Sequence, residues 1–314
     1  METSKKHISV LTGCYNEEEN VEALIVAVAA VFAKMPQYTY EHVFIDNSSA
    51  DNTVAILRRM AETYKQVKVI VNVRNFGHIR SPYYGILQCH GDAVVSLVAD
   101  FQDPPEMIET LLTKWEEGYK IVIGIKNESK ENALMFAVRK TFYNLLAKAS
   151  GNDATIKNFT GFGLYDQKFI SVLRNLDDPY PYFRGMVTDL GFNRYEIPYT
   201  QPQRAGGRTK NNFFTLYDVA MLGFVNHSKL PLRLSAFIGF ITAIISLLIA
   251  LIYLVYKLIY WNNFEVGLAP LVIGVFFFGS VQLFFIGIIG EYIGAIHTQV
   301  RKRPLVIEKE RINF

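Results

Sequence analysis

An acidic turn follows a buried apolar strand near the middle of the chain. Asp100, Gln102 and Asp103 come just after the apolar run 94–98, and the proline pair 104–105 stops the chain there. In sheets built from strand–helix–strand units, ligands bind outside the carboxyl ends of the strands. Oxygen ligands suit a hard cation, so Asp100 and Gln102 are predicted to hold Mg²⁺ or Mn²⁺, which could bridge a diphosphate. The alternative is an acidic surface turn that binds nothing.

Three earlier strands are followed by polar turns of the same kind. The apolar runs 8–11, 42–45 and 67–71 alternate with helical patterns, which predicts an α/β fold with a mainly parallel sheet. The residues after these runs are Tyr15, Asn16 and Glu17, then Asp46, then Arg74, Asn75 and Gly77. Strand ends of one sheet converge, so these turns could line one crevice, with acceptors for ribose, base and metal. Each polar residue could instead be a helix cap.

Two long runs of the chain carry no charge. They cover residues 234–256 and 266–290. At a rise of about 1.5 Å per residue, either run spans a bilayer core of about 30 Å as a helix. The alternative is a pair of buried globular helices, but uncharged runs in soluble cores seldom exceed about 14 residues. Basic residues precede the first run and follow the second, at Lys229, Arg233 and 301–303, so both termini are expected in the cytoplasm.

Composition excludes several other classes of protein. The formal charge of +3 is too small to indicate a nucleic-acid partner. Cys14 and Cys89 are the only cysteines, which favours a reducing cytosol over a disulfide framework. No Gly-x-Gly-x-x-Gly motif follows the first strand, which disfavours a dinucleotide-binding oxidoreductase. The first residues are polar and lack the pattern of a signal peptide, so the two apolar runs are expected to direct insertion into the membrane, the inner membrane in a bacterium.

Several motifs together resemble one family. They are Tyr15-Asn-Glu-Glu-Glu-Asn20, Phe44-Ile-Asp46, Arg74-Asn-Phe-Gly77, Asp100-Phe-Gln-Asp-Pro-Pro-Glu106, Phe142-Tyr143, Thr160-Gly-Phe162, Arg204-x-x-Gly207-x-Thr-Lys210 and Gly290-Glu-Tyr292. With the paired apolar runs, this set resembles the membrane-bound family 2 glycosyltransferases, specifically the polyprenyl-phosphate glycosyltransferases and dolichol-phosphate mannose synthases. The resemblance implies a GT-A fold and inverting transfer of a sugar from a nucleotide diphosphate, here expected to be UDP, to a polyisoprenyl phosphate at the cytoplasmic face. It also implies a homo-oligomer, a tetramer.

The resemblance divides the chain into four parts. These are a cytoplasmic GT-A domain (1–212), an amphipathic juxtamembrane segment (213–233), a hairpin of two transmembrane helices (234–290) and a cytoplasmic C-terminal tail (291–314). The nucleotide sugar is predicted to contact Tyr15, Asn16, Glu17, Asp46, Asn75, Gly77, Asp100, Arg204, Arg208 and Lys210. Lys126 and Arg139 are predicted to bind the acceptor phosphate, with a solvated helix face as the alternative. The basic loop 204–210 could instead be a segment attracted to anionic lipid.

In the resembling family a second acid often follows the position of Asp46, where this chain has Asn47. Two other departures from the family pattern bear on catalysis. Val98 replaces the first acid of the usual Asp-x-Asp motif, so Asp100 is the carboxylate that remains. Gly161 stands where many bacterial members have an acid proposed as general base. A phosphate monoester has a second pKa of about 6, so the acceptor needs positioning more than deprotonation. Asp189 is the catalytic candidate if a base is used, whereas Asp166 is predicted to cap a helix. A non-catalytic membrane scaffold and a transferase with another lipid acceptor are the alternative functions.

Overall fold

An eight-stranded sheet with helices on both faces forms the centre of the computed structural model, which describes residues 5–127, 156, 158–202, 230–260 and 268–314. In chain order the elements are β1 (Lys6–Cys14), α1 (Val21–Ala33), β2 (Tyr38–Asp46), α2 (Thr53–Thr63), β3 (Val67–Asn72), α3 (Gly77–Gln88), β4 (Ala93–Val98), α4 (Met107–Glu116), β5 (Ile121–Lys126), β6 (Phe159–Asp166), α5 (Gln167–Leu176), α6 (Phe183–Asp189), β7 (Arg194–Tyr199), α7 (Leu230–Ile259), α8 (Leu268–Val300) and β8 (Glu308–Ile312).

The sheet has the order β7-β5-β6-β4-β1-β2-β3-β8. β1 pairs in parallel with β2 and β4, and β2 pairs in parallel with β3. β6 runs antiparallel to both β4 and β5, and β8 runs antiparallel to β3. The predicted α/β class is confirmed, although the sheet is mixed. Because β1 to β4 run in one direction, their carboxyl ends meet at one edge of the sheet.

Two apolar cores lie on opposite faces of the sheet. Neighbouring residues of a strand point to opposite faces, so Val10 and Val95 belong to the core under α1, α2 and α4, whereas Leu11 and Val94 belong to the core under α3, α5 and α6. All four side chains are buried. Burial on both faces explains why the parallel strands are continuous apolar runs rather than alternating ones.

The two apolar helices are longer than the uncharged runs that predicted them. Their candidate membrane spans are Leu232–Ile259 and Gly274–Val300. In the structure, the most apolar window of each span has no buried residues. The core helices of a globular protein would be mostly buried. α8 continues through Glu291 to Val300, ten residues past the predicted end at 290. The two helices are thus long and apolar enough to cross a membrane.

The C-terminal segment belongs to the sheet. Residues 291–314 were predicted to form a tail separate from the first domain, but β8 pairs antiparallel with the edge strand β3, with Ile312 opposite Val69. The residues of β8 are mostly charged, so the sequence shows no apolar pattern that would predict a strand there. Short charged strands of this kind are common at sheet edges. The chain therefore returns from α8 to the first domain.

Candidate functional site

The turns after β1 and β2 are locked to each other by hydrogen bonds. Asp46 is buried at the end of β2 and accepts hydrogen bonds from the backbone N–H of Ser49, at 3.0 Å, and from its hydroxyl. The backbone N–H of Asn16 donates to Ser49 Oγ at 2.8 Å, and Asn16 Oδ1 accepts from Ala50 N at 2.8 Å. Burial raises the pKa of Asp46. Two of the predicted donor-binding turns therefore form one rigid unit.

Asn47 connects that unit to the turn after β3. Its Nδ2 donates to Asn75 Oδ1 at 2.9 Å, and its Oδ1 accepts from Phe76 N at 2.8 Å. Asn75 Oδ1 also accepts from Gly77 N at 2.8 Å. Gly77 has φ +89° at the start of α3, a conformation that favours glycine. The structure brings Asn75 and Gly77 to the predicted crevice, where the Asn75 side chain shapes the loop.

Tyr15 and Glu17 lie at the same edge of the sheet, and both are half-buried. The backbone N–H of Glu17 donates to Thr53 Oγ1 at 2.8 Å, and Glu17 Oε2 accepts from Asn20 Nδ2 at 2.7 Å. The start of α2 therefore holds the turn after β1, and the Glu17 carboxylate lies at the rim of the crevice with an amide partner.

The turn after β4 contains the predicted metal ligands. Asp100 is buried, and its Oδ1 accepts from the backbone N–H of Gln102 at 3.2 Å. Between them Phe101 has φ +60°, so the chain turns sharply. Within the described residues no group of three or more His, Cys, Asp or Glu side chains could hold a metal. Mg²⁺ commonly takes one or two carboxylates and obtains its remaining ligands from waters and substrate phosphates. One carboxylate and one amide fit such a cation.

Asp103 has a role in this turn that the sequence did not assign. Its carboxylate accepts from the Tyr199 hydroxyl at 3.0 Å and from Val98 N at 3.2 Å, which joins β7 to the end of β4. Burial raises the pKa of Asp103 to about 6, although the bond from Tyr199 and the charge of Lys126 act to lower it. Lys126, at the end of β5, therefore lies close enough to this turn for its charge to affect the pKa of Asp103.

A cavity of about 200 Å³ opens beside the acidic turn. Polar residues from several elements line it, among them His78, Ser96, Asp103, Thr160 and Arg184. Ligand pockets for drug-sized molecules measure about 300–1,000 Å³, so this cavity has room for a sugar ring or a phosphate rather than a whole nucleotide sugar. Burial, with the Arg184 cation second, lowers the pKa of His78. Arg184 is thus the fixed positive charge at the cavity wall.

Gly161 leaves one side of this cavity open. It lines the cavity with φ +106°, and no atom lies within 4 Å of the position that a Cβ would occupy. The replacement of the family's acid by glycine therefore leaves space in front of the backbone at this point.

Residues 9–173, more than half of the chain, match the family model described as glycosyl transferase family 2. The chain belongs to this family. Over 304 residues it is 30% identical to the SfII prophage-derived bactoprenol glucosyl transferase of Shigella flexneri, with 96% of this chain and 97% of the relative covered.

Solved structures resemble this glycosyltransferase in fold. A mycobacterial protein matches with TM-score 0.50 and 16% identity, covering 70% of this chain and 73% of the other. A glucosyl-3-phosphoglycerate synthase from Mycobacterium tuberculosis, solved with Mn²⁺, UDP and phosphoglyceric acid, matches with TM-score 0.47 and 16% identity, covering 70% and 76%. The expected enzyme class and the GT-A-like fold are confirmed.

The remaining predicted residues of the glycosyltransferase have different positions. Asp189 is exposed at the end of α6 and is not among the residues that line the cavity. Asp166 caps α5 as predicted, because its Oδ1 accepts from Lys168 N at 2.9 Å. Arg139, Arg204, Arg208 and Lys210 lie outside the described residues, as does most of the juxtamembrane segment 213–233. The spacing of the sequence did not single out Arg184 or Tyr199, because they enter the site from elements that follow the parallel strands.

Proposed function

We propose that this glycosyltransferase transfers a sugar, with inversion, from a UDP-linked donor to a polyisoprenyl phosphate at the cytoplasmic face of a membrane. The proposal is supported by the bactoprenol glucosyl transferase among its relatives. The observation that carries it is one edge of the sheet, where the bonded turns around Asp46, the acidic turn at Asp100 and the cavity at Arg184 lie together. The two exposed apolar helices are consistent with a lipid acceptor.

In this proposal the donor lies along the strand ends. The nucleoside contacts the turns at Tyr15–Glu17 and Asp46, and the diphosphate lies at Asp100 and Gln102. These two residues would hold Mg²⁺ or Mn²⁺, which stabilises negative charge on a departing diphosphate. The cavity is too small for the whole donor, so only the sugar end enters it.

The acceptor phosphate approaches the mouth of this cavity from the other side of the sugar. An oxygen of the phosphate forms the new bond to the anomeric carbon while the bond from that carbon to the donor diphosphate breaks. The electron pair of the broken bond leaves on the diphosphate, and attack from the opposite face inverts the carbon. Because a phosphate monoester is largely dianionic at neutral pH, no proton has to move to a side chain. Arg184 and Lys126 would orient the phosphate through charge-assisted hydrogen bonds.

The proposal is tested by incubating purified full-length protein with a panel of radiolabelled nucleotide sugars and a short polyprenyl phosphate. We expect one UDP sugar to give labelled polyprenyl phosphate in a reaction that requires a divalent cation. Label on diacylglycerol or on a polymer would establish a different acceptor. If no nucleotide sugar transfers label with the wild-type protein while the folded chain is intact, the scaffold alternative would be favoured.

A further inference from the structure

An arginine near the start of α3 contacts the segment that follows α8. The guanidinium carbons of Arg74 and Arg80 lie 4.1 and 5.6 Å from the centre of the Phe76 ring. Arg80 also donates a hydrogen bond to the backbone oxygen of Pro304, the residue after Arg303. Arg74, Arg80 and Arg303 form the arginine cluster. The cluster thus contains residues from the first domain and from the segment that follows α8.

The positive charges of the arginine cluster are not neutralised by carboxylates. Within the described residues none of the three arginines forms an ion pair, and the buried Nε of Arg80 has no hydrogen-bond partner. Burial, followed by the charge of Arg74, lowers the pKa of Arg80, and the charge of Arg303 acts in the same direction. Like charges held together at a partly buried position are unfavourable unless an anion compensates them.

Asp177 and Asp178 line a cavity together with Arg303, and both have other partners. Asp177 lies 3.8 Å from Lys302 Nζ, and Asp178 Oδ1 accepts from Gln299 Nε2 at 2.9 Å. Glu308 pairs with Arg311 at 2.6 Å. The cluster therefore keeps its charge available for a ligand.

A second cavity opens next to the cluster. Its volume is about 380 Å³, and it is lined by Arg303, Lys302, Arg174, Tyr84 and Leu305 among others. This volume lies within the range of about 300–1,000 Å³ that is usual for small-molecule sites. Its walls combine three cationic groups with apolar side chains and with the carboxylates of Asp177 and Asp178. None of the three cluster arginines lines the first cavity, although Tyr83 lines both cavities.

The position of the cluster along the chain places it near lipid headgroups. This step rests on the proposed function, which puts the apolar helices in a membrane. The candidate span Gly274–Val300 has 27 residues, hence a helical length of about 40 Å, close to the roughly 40–45 Å of a bilayer with its headgroups. Arg303 follows Val300 by three residues, so it lies within about 11 Å of the helix end.

We propose that the arginine cluster binds the phosphate of an anionic phospholipid headgroup. Guanidinium groups suit a phosphate oxygen pair, and the adjacent cavity accepts the rest of the headgroup. The bound lipid would hold the start of α3, which carries the loop Asn75–Gly77, against the membrane surface. The donor-binding edge of the sheet would then be positioned by the lipid composition.

Native mass spectrometry of delipidated full-length protein in detergent tests this proposal. Phosphatidylglycerol and phosphatidylcholine with the same acyl chains are titrated against wild-type protein and the Arg303→Gln variant. Arg303 is exposed, so its replacement is expected to preserve the fold. A basic residue near a membrane surface contributes a factor of about five, so the variant should lose phosphatidylglycerol affinity about fivefold. Arg58→Gln is the matched control, since Arg58 is exposed and pairs with Glu310 at 2.8 Å.

UDP and polyprenyl phosphate binding are measured on the same variants, and both should stay within twofold of the wild type. The proposal is overturned if phosphatidylglycerol binds no better than phosphatidylcholine, or if the Arg303→Gln variant keeps wild-type affinity for it. A loss of UDP or polyprenyl phosphate binding in place of lipid binding would assign the cluster to the reaction site and overturn it as well. Failure of the proposed function is distinguishable, because it appears as absent sugar transfer by wild-type protein whose lipid binding is intact.

Discussion

Arg184→Gln should reduce the use of the acceptor while leaving donor binding unchanged. Arg184 is half-buried and lines the cavity in which the acceptor phosphate is proposed to lie. A hydrogen bond to a charged group contributes about 1.5–3 kcal/mol. Because each 1.36 kcal/mol is a factor of ten, kcat/KM for the acceptor should fall about 10- to 150-fold. Arg184→Lys keeps the charge but not the planar pair of donors, so its loss should be smaller.

The assay measures transfer of radiolabel from the nucleotide sugar to a short polyprenyl phosphate, with each substrate varied in turn. Arg194→Gln is the control, because Arg194 is also on the surface of this region but pairs with Glu196 at 3.2 Å and does not line the cavity. A loss below threefold for Arg184→Gln, or a change confined to the KM of the donor, would refute the assignment. Equal losses in Arg184→Gln and Arg194→Gln would show an effect of surface charge alone.

Three further predictions test the metal site, the packing and a buried histidine. Asp100→Ala should abolish metal-dependent transfer while leaving the protein folded, and full activity of the folded variant would contradict the metal assignment. Gly91→Ala should destabilise the protein by about 1–3 kcal/mol in thermal unfolding, because the added Cβ would lie 2.6 Å from the backbone nitrogen of Ser9; an unchanged melting temperature would show that the backbone yields. Burial lowers the pKa of His42 from 6.5 to about 3, so only the unfolded chain gains a proton as the pH falls below 6.5. The neutral His42 therefore contributes fully to stability above pH 6.5, and its contribution is about 2 kcal/mol smaller at pH 5. Between pH 7.5 and 5, the melting temperature of His42→Gln should fall less than that of the wild-type protein.

The parallel half of the sheet was predictable because its signals are local. A strand buried on both faces is a continuous apolar run, and the run 94–98 corresponds to β4, which begins one residue earlier at Ala93. The polar turns were predictable for a related reason, since parallel strands in sequence order must end at one edge. α3 begins at Gly77 and contains Pro82, so its first turns carry no helical pattern in the sequence. Glycine and proline conceal a helix whose first turns are fixed by the bonded loop before it.

The strands that follow β4 and their side chains could not be predicted in the same way. Tyr199 reaches Asp103 across 96 positions of sequence, and no periodic pattern specifies such a contact. Arg184 lies on a helix of seven residues, too short for a helical period to be recognised. β8 pairs with β3 after the chain has passed through two apolar helices, and its charged residues resemble a solvated tail. These features depend on tertiary contacts, which a pattern of neighbouring residues does not contain.

Asn47 shows how a departure from the family pattern is accommodated by the structure. An acid often occupies this position, yet here the side chain must donate through Nδ2 to Asn75 and accept through Oδ1 from Phe76. A carboxylate accepts but cannot donate, so only the amide completes both bonds in this buried setting. The two bonds fix the loop that begins α3 beside the donor-binding turns. The replacement thus preserves the order of the site through a different hydrogen-bond pattern, as expected for a working enzyme rather than a scaffold in which the site has decayed.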